Sequence, residues 1–191
     1  MNNNYNRIWI ASDLHLGHSL LVDKEKTRQR GFEEEFFKAW KDCVRQDDMV
    51  VLLGDIAFRQ QSYWFTRIKE SPGNVLLFLG NHDKNRTKWY EKFVTEVVSF
   101  GESRTFEHDW GNILFTHVPA FTAVATPYDE RFLGLMRKHE KEFEGGSCIL
   151  NIHGHTHGRG REKHNTFDCS LEVIGPRLVT LAQITELKFK K

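Results

Sequence analysis

Short apolar runs alternate with amphipathic ones along the first hundred residues. RIWIAS (7–12), MVVLL (49–53) and VLLFL (75–79) are apolar stretches of strand length, the pattern of buried strands. FEEEFFKAWKDCV (32–44) carries Phe32, Phe36, Phe37, Trp40, Cys43 and Val44 at helical spacing, with acidic residues early in the run. It predicts an amphipathic helix. QSYWFTRIKE (61–70) predicts another, closed by the turn signal Ser-Pro-Gly. A short helix is expected over 88–94. The pattern then changes. EVVSFG, SRTFE and NILFTH read as strands joined by short turns. A helix is expected over 129–143, and SCILNI, TFDCSLEV and RLVTLA read as further strands. The expectation is βαβα followed by a more antiparallel, β-rich half, which makes an α/β fold with mixed sheets. No linker or internal repeat breaks the pattern. Residues 1–191 are expected to form one domain, since 191 residues are too few for two ordinary ones.

Composition narrows the function classes. Apolar residues make up 39% and aromatics 13%, enough for a real core. The net charge of +1 exerts no global pull on nucleic acid or an anionic membrane. Extended nucleic-acid binding is therefore not expected. MNNNYNRIWIASD carries no long apolar run and no cleavage pattern. A cytoplasmic protein without a membrane span is expected. Cys43, Cys148 and Cys169 are odd in number and lack CxxC spacing. They read as buried free thiols in a reducing compartment.

The candidate chemistry lies where the strands end. Asp13-Leu14-His15 follows RIWIAS, Gly54-Asp55 follows MVVLL, and Gly80-Asn81-His82-Asp83 follows VLLFL. His117 follows NILFT, and Gly154-His155-Thr156-His157 follows CILNIH. Ligands of open α/β sheets bind beyond the carboxyl ends of strands, so the five clusters converge if these ends lie side by side. Residues i and i+2 of an extended chain share a face. That spacing would aim Asp13 and His15 at one ion, and His155 and His157 likewise. Gly54, Gly80 and Gly154 would allow sharp turns and close approach. Carboxylate, imidazole and amide ligands without thiolate favour Mn, Fe, Zn or similar ions.

Asp-x-His, Gly-Asp, Gly-Asn-His-Asp, a lone His and Gly-His-x-His, in that order, resemble the calcineurin-like metallophosphoesterase superfamily. SDLHLGH, a helix, DDMVVLLGDIAF and then GNHD is similar to its small capless bacterial and phage members. The resemblance spans about residues 8 to 182. It implies an αββα sandwich and two divalent metal ions, Mn2+ first, with Fe, Zn, Ni or Mg as alternatives. Asp13, His15 and His157 would hold the first ion. Asn81, His117 and His155 would hold the second, with Asp55 bridging. His82 would sit near the leaving group, and Asp83 would help orient its ring. Two cations about 3.5–4 Å apart clamp the attacking and leaving oxygens of an in-line displacement. Bound water titrates near about pH 7, so hydroxide becomes available to attack phosphorus. His82, with an ordinary pKa of about 6.5, could donate a proton to the leaving oxygen or hold a phosphoryl oxygen.

The expected substrate is therefore a small or nucleotide phosphoester, diester or monoester. A nuclease, a protein phosphatase, a mononuclear metal protein and a non-catalytic scaffold are the alternatives. Where related chains carry an Asn-Val-x-Val-Asp/Glu stretch, this one has Asp168-Cys169-Ser170-Leu171-Glu172. That departure leaves the strand's supporting role open. His153 reads as a structural neighbour of the site. His18, Arg30 and Arg86 are candidate substrate contacts. Arg28, Lys84, Arg159, Arg161 and Lys163 add to a possible positive rim. His108, His139 and His164 are expected at the surface. Residues 120–146 read as a connection between strands or a short lid.

Overall fold

The computed structural model describes residues 5, 7–23, 28–84, 86–121, 129–159 and 165–189. Strand β1 (Ile8–Ala11) runs to a short helix α1 (Ser19–Asp23) and then α2 (Phe32–Cys43). Next come β2 (Met49–Leu53), α3 (Gln61–Lys69), β3 (Asn74–Phe78), α4 (Thr87–Tyr90) and β4 (Glu96–Val98). The order continues with β5 (Arg104–Phe106), β6 (Asn112–Phe115), a 3-10 turn (Asp129–Phe132), α5 (Leu133–Gly145) and β7 (Cys148–His153). The chain closes with β8 (Thr166–Asp168), α6 (Leu171–Ile174), β9 (Val179–Thr180) and α7 (Leu181–Phe189).

These elements form two mixed sheets flanked by helices. One sheet has the order β4-β3-β2-β1-β9, with only β9 antiparallel. The other has the order β5-β6-β7-β8, with only β5 antiparallel. The second half is thus less antiparallel than its short strands suggest. Helix α5 carries the chain across between parallel β6 and β7, the device that parallel neighbours require. Residues 120–146 are therefore a crossover as far as they are described; 122–128 lie outside the described residues.

Three further expectations change, two of them at the C-terminal end. TFDCSLEV is a three-residue strand followed by helix α6. RLVTLA is a two-residue strand that runs directly into helix α7, which the apolar run concealed. Such runs suit buried helices as well as strands. The helix expected over 88–94 stops at Tyr90.

Helix α2 lays Phe32, Phe36, Phe37 and Trp40 against the first sheet and starts with Glu33, Glu34 and Glu35, which complement the helix dipole. One continuous core joins Ile10, Val51 and Leu77 of the first sheet to Ile113, Leu150 and Ile152 of the second. Register then decides the site. Ala11 pairs with Leu52, and Leu53 with Phe78, so β1, β2 and β3 end together. Phe115 pairs with Ile152, which aligns the ends of β6 and β7. Ser12 N–H donates to Cys169 O (2.9 Å), and Gly154 N–H to His117 O (3.0 Å). The loops beyond the two sheets are stitched into one rim.

All three cysteines are free, and Cys148 and Cys169 are buried; Cys43 is exposed, because it ends α2 on the solvent side. His139 is buried rather than at the surface, with Nδ1 2.9 Å from Val118 O and Nε2 3.3 Å from Gly101 O. His108 is half-buried and stacks on Tyr5. His164 lies outside the described residues.

Candidate metal centre

The loops that follow the strand ends leave extended geometry at once. Asp13 (φ 53°), His15 (φ 45°), Asp55 (φ 54°), His155 (φ 69°) and His157 (φ 50°) are all left-handed. A non-glycine residue held there costs about 1–2 kcal/mol. Five candidate ligands share this strain, which the surrounding contacts must offset. The convergence of Asp13 with His15 comes from these tight turns and not from the i, i+2 alternation of a strand. His155 and His157, which strand spacing would aim at one ion, meet different partners.

Asp13, His15 and His157 bring one ligand atom each within 4.8 Å of one another, and so do Asp13, Asp55 and His117. His157 Nε2 lies 3.4 Å from Asp13 Oδ1 and 3.3 Å from His15 Nε2. Asp55 Oδ2 lies 3.8 Å from His15 Nε2 and 3.6 Å from His117 Nε2, between the two groups. Asn81 Oδ1 lies 2.9 Å from His117 Nε2 and 2.8 Å from His155 Nδ1.

Backbone contacts hold this set in place. Asp13 Oδ2 accepts from His155 N–H (2.9 Å) and from the Ser12 hydroxyl (2.6 Å). Asp55 Oδ1 accepts from His82 N–H (2.8 Å). Asp83 accepts from Asp55 N–H (2.7 Å), Gly80 N–H (2.8 Å) and Ile56 N–H (3.2 Å). In these contacts Asp83 shapes the loop backbone under Asp55. A Cβ on Gly80 would come within 2.5 Å of Asp55 N, so only glycine fits there.

The donor set fits cations. Asp13, Asp55 and Asp83 are 0%, 2% and 8% exposed. Burial, Asp13 and Asp83 together push the Asp55 carboxyl well above its ordinary range. Oδ1 of Asp13 is buried without a hydrogen-bond partner, a costly state for a carboxylate oxygen. The histidines are set as ligands as well. His117 Nδ1–H donates to Leu53 O (2.6 Å), so its Nε2 lone pair faces the site. Burial pushes His15 well below its usual pKa, and the neighbouring His157 and Arg28 charges add to this. Burial and His117 take His155 down to about 2. Both rings are neutral, as ligation needs.

Comparison with known proteins gives the lineage. Residues 7–179 match the calcineurin-like phosphoesterase superfamily domain. The chain belongs to the calcineurin-like phosphoesterase superfamily. The Gene 66 protein of Mycobacterium phage D29 is 27% identical over 169 residues, covering 80% of this chain and 79% of that protein. Protein MJ1445 of Methanocaldococcus jannaschii is 23% identical over 194 residues, covering 95% and 90%. Among solved structures, AQ665 from Aquifex aeolicus, a protein of unknown function, has the same fold, with a TM-score of 0.78. It is 22% identical, and the match covers 94% of this chain and 98% of that one.

The structure gives this phosphoesterase-superfamily chain supports that sequence reasoning left without a role. Glu172 Oε2 accepts from His157 Nδ1–H (2.9 Å), and both Glu172 oxygens accept from Arg28 (2.9 and 3.0 Å). Arg28 also donates to Asp13 O and Leu14 O. It is a buried tie between the first and last motifs and not a rim charge. Asp168 accepts from Thr156 Oγ1 (2.5 Å), Gly158 N–H (2.8 Å) and Ser170 N–H (2.8 Å), which shapes the Gly-His-x-His loop. The stretch Asp168–Glu172 held the available signal: its two acidic residues follow the last histidine motif. His153 is buried, with Nδ1 2.9 Å from Gly154 O.

The remaining candidates lie outside the ligand cluster. His82 is exposed, with its ring 5.6 Å from that of His15. His18 packs between His15 and Phe58. Arg30 is exposed and pairs with Asp23 (2.7 Å). Arg86 Nη2 donates to Gln61 Oε1 (3.1 Å). Arg159 is exposed, and Arg161 and Lys163 lie outside the described residues. No helix among the described residues is long and apolar enough to cross a membrane.

Two consequences can be measured. A carboxylate behind a ligating histidine fixes its tautomer and raises its basicity, and its loss costs about 10–100-fold in metal affinity. Glu172→Gln should therefore weaken divalent-ion binding by about that factor in calorimetry, and also lower Tm in chelator, since buried Arg28 and His157 lose their charged partner. Unchanged affinity would remove Glu172 from the site.

The second consequence concerns pH. Burial opposes the charge on His157, but Asp13 and Glu172 outweigh it and raise this ring to about 9. Its contribution to metal-free stability is complete below its usual 6.5 and is lost as pH rises through about 9. His15 and His155 act in the opposite sense, since their neutral rings must compete with protonation of the unfolded chain below 6.5. Burial also opposes the charge on Glu172, but His157 and Arg28 hold it at about 2, so its contribution is lost as pH falls below its usual 4.5. Tm in chelator should decline from pH 6.5 toward about 9. The Tm gained from added Mn2+ should grow over the same alkaline range, because the ion displaces the His157 proton. A gain independent of pH would contradict this assignment.

Proposed function

We propose that this chain hydrolyses phosphoesters with the help of two divalent ions, Mn2+ first among them. The observation that carries the reading is the position of Asp55. Its Oδ2 lies within 4 Å of both His15 Nε2 and His117 Nε2, as a carboxylate shared by two ions requires. Asp13, His15 and His157 would hold one ion. Asn81, His117 and His155 would hold the other, with Asp55 between them. Bound there, the ions would supply charge neutralisation of the phosphoryl group and activation of water.

The chain's own residues do the rest. The left-handed turns at Asp13, His15, Asp55, His155 and His157 present side chains from three loops, which is electrostatic preorganisation. His82 stands exposed at the rim, where a substrate can reach it. Partial desolvation of the ring's inner side and the nearby His117 hold it below the usual 6.5. The neutral ring offers one N–H, so holding a phosphoryl or leaving oxygen suits it better than outright proton donation at neutral pH.

The test is hydrolysis of a chromogenic phosphodiester and a monoester by the protein with and without Mn2+, beside His82→Ala. Metal-dependent cleavage is expected, lowered about 100-fold or more in His82→Ala. Metal binding without cleavage of either ester would leave a metal-holding scaffold and overturn the reading.

A further inference from the structure

A second concavity opens beside the metal centre. It has a volume of about 370 Å3 and is lined by Phe58, Gln61, Tyr63, Lys84, Arg86 and Trp89, among others. Its composition is unusual for this surface. Phe58 is 45% and Tyr63 52% exposed, two of the three large aromatic side chains that stand out into solvent among the described residues. Lys84 and Arg86 bring two positive charges, and no carboxylate lines the cavity.

The groove is preformed on its cationic side. The Arg86 guanidinium lies 5.3 Å from the centroid of the Trp89 ring and donates to Gln61 Oε1 (3.1 Å). A planar guanidinium fixed this way is ready to pair with phosphate in a two-pronged contact. The other wall is tied to the metal loops. Phe58 N–H donates to Leu16 O (3.0 Å). The Phe58 ring meets His18 edge-on at 4.0 Å, and His18 meets His15 at 5.9 Å. Lys84 and Arg86 follow His82 in the chain by two and four residues. Packing of Phe58 on His18, and the two-residue step from His82 to Lys84, therefore place the groove next to the candidate metal centre.

Exposed aromatic faces beside fixed cations suit a base attached to a phosphate. Every nucleobase has a π-face to stack, and phosphate supplies the charge. We propose that this groove binds one nucleoside half of the substrate. In a phosphodiester lying across the two, the scissile phosphate would face the metal-competent cluster. The base would stack on Phe58 and Tyr63, and a further phosphate would pair with Arg86 and Lys84. The substrate class is then a short nucleotide phosphodiester that carries a second phosphate, such as a 5′-phosphorylated dinucleotide. This deepens the hydrolase reading and rests on it. In the reaction a water oxygen bonds to phosphorus, the bond from phosphorus to the leaving oxygen breaks, and one water proton ends on that oxygen. A phosphomonoester and an alcohol result.

The test uses the full chain and two measurements. Calorimetry with the dinucleotide pApA in the presence of Ca2+ reads binding, and turnover of bis(4-nitrophenyl) phosphate with Mn2+ reads the parent chemistry. Wild type should bind pApA, and Phe58→Ala and Arg86→Ala should each weaken it about tenfold or more. Trp110→Ala, which removes the third exposed aromatic, should leave binding unchanged. Removal of the 5′-phosphate from the ligand should weaken binding to wild type more than to Arg86→Ala, where only Lys84 remains to meet it. Equal pApA affinity in wild type, Phe58→Ala and Arg86→Ala would overturn the groove whatever the diester assay gives. Absence of metal-dependent turnover of the diester, the monoester and pApA would overturn the hydrolase reading itself.

Discussion

Asp55→Asn is expected to lose at least about 100-fold in metal-dependent phosphodiester turnover while unfolding at a higher temperature in chelator than the wild type. The two effects have one cause. Asp55 is buried against Asp13 and Asp83, which raise its carboxyl well above the ordinary range after burial itself. Removing its charge relieves that repulsion in the metal-free protein. Asparagine tolerates the left-handed backbone that Asp55 adopts at φ 54°, and its amide oxygen can still accept from His82 N–H. A gain of roughly 1 kcal/mol, or about 3 °C, is reasonable for a chain of this size. What the variant lacks is the negative charge between the two ligand groups, so ion content should fall with turnover. Asp55→Ala should abolish turnover too, with lower stability, because alanine is strained at this φ. Differential scanning calorimetry in chelator, metal analysis and diester hydrolysis together decide the matter. Full turnover in either variant, or a lower Tm in Asp55→Asn, would show that Asp55 does not carry the role proposed for it.

The second large effect is expected from Gly154→Ala, a change of one methyl group. A Cβ at this position would land on Ser12 Oγ and Asp13 Oδ2, and within 2.7 Å of Ser12 Cβ. Those atoms cannot move freely. Ser12 and Asp13 are fully buried, and Asp13 Oδ2 already accepts from His155 N–H. Overpacking of this kind costs about 1–3 kcal/mol, so Tm should fall by roughly 3–9 °C. Asp13 serves both candidate ligand groups, so displacing it should also weaken ion binding by at least about tenfold. Gly134→Ala is the control, since a Cβ there meets nothing within 4 Å. If Gly154→Ala kept wild-type stability and affinity, the close approach of the first and last motifs would not be required.

Much of this site is legible in the chain. SDLHLGH, LLGD, LGNHD, FTH and HGHTH name every residue of the candidate ligand set, because each follows a short apolar run that folds as a strand. The supports are harder to see. Arg28 looks like a loop charge beside Arg30, yet the first is buried on Glu172 and the second stands in solvent against Asp23. Nothing local separates them. His139 sits in a charged amphipathic run that hides its burial. TFDCSLEV and RLVTLA are apolar enough to be strands, but tertiary packing made helices of their second halves.

The sequence by itself determined the order of elements in the first half, the α/β class and the identity of the candidate ligands, since all three follow from local hydrophobic periodicity and side-chain chemistry. Only the tertiary structure decided that Asp13 meets His155, that Glu172 and Arg28 stand behind His157, and that an aromatic and cationic groove forms between 58–63 and 84–89. These depend on strand register and on left-handed turns at five loop residues. Both arise from contacts between segments as far as 140 residues apart, which no local pattern records.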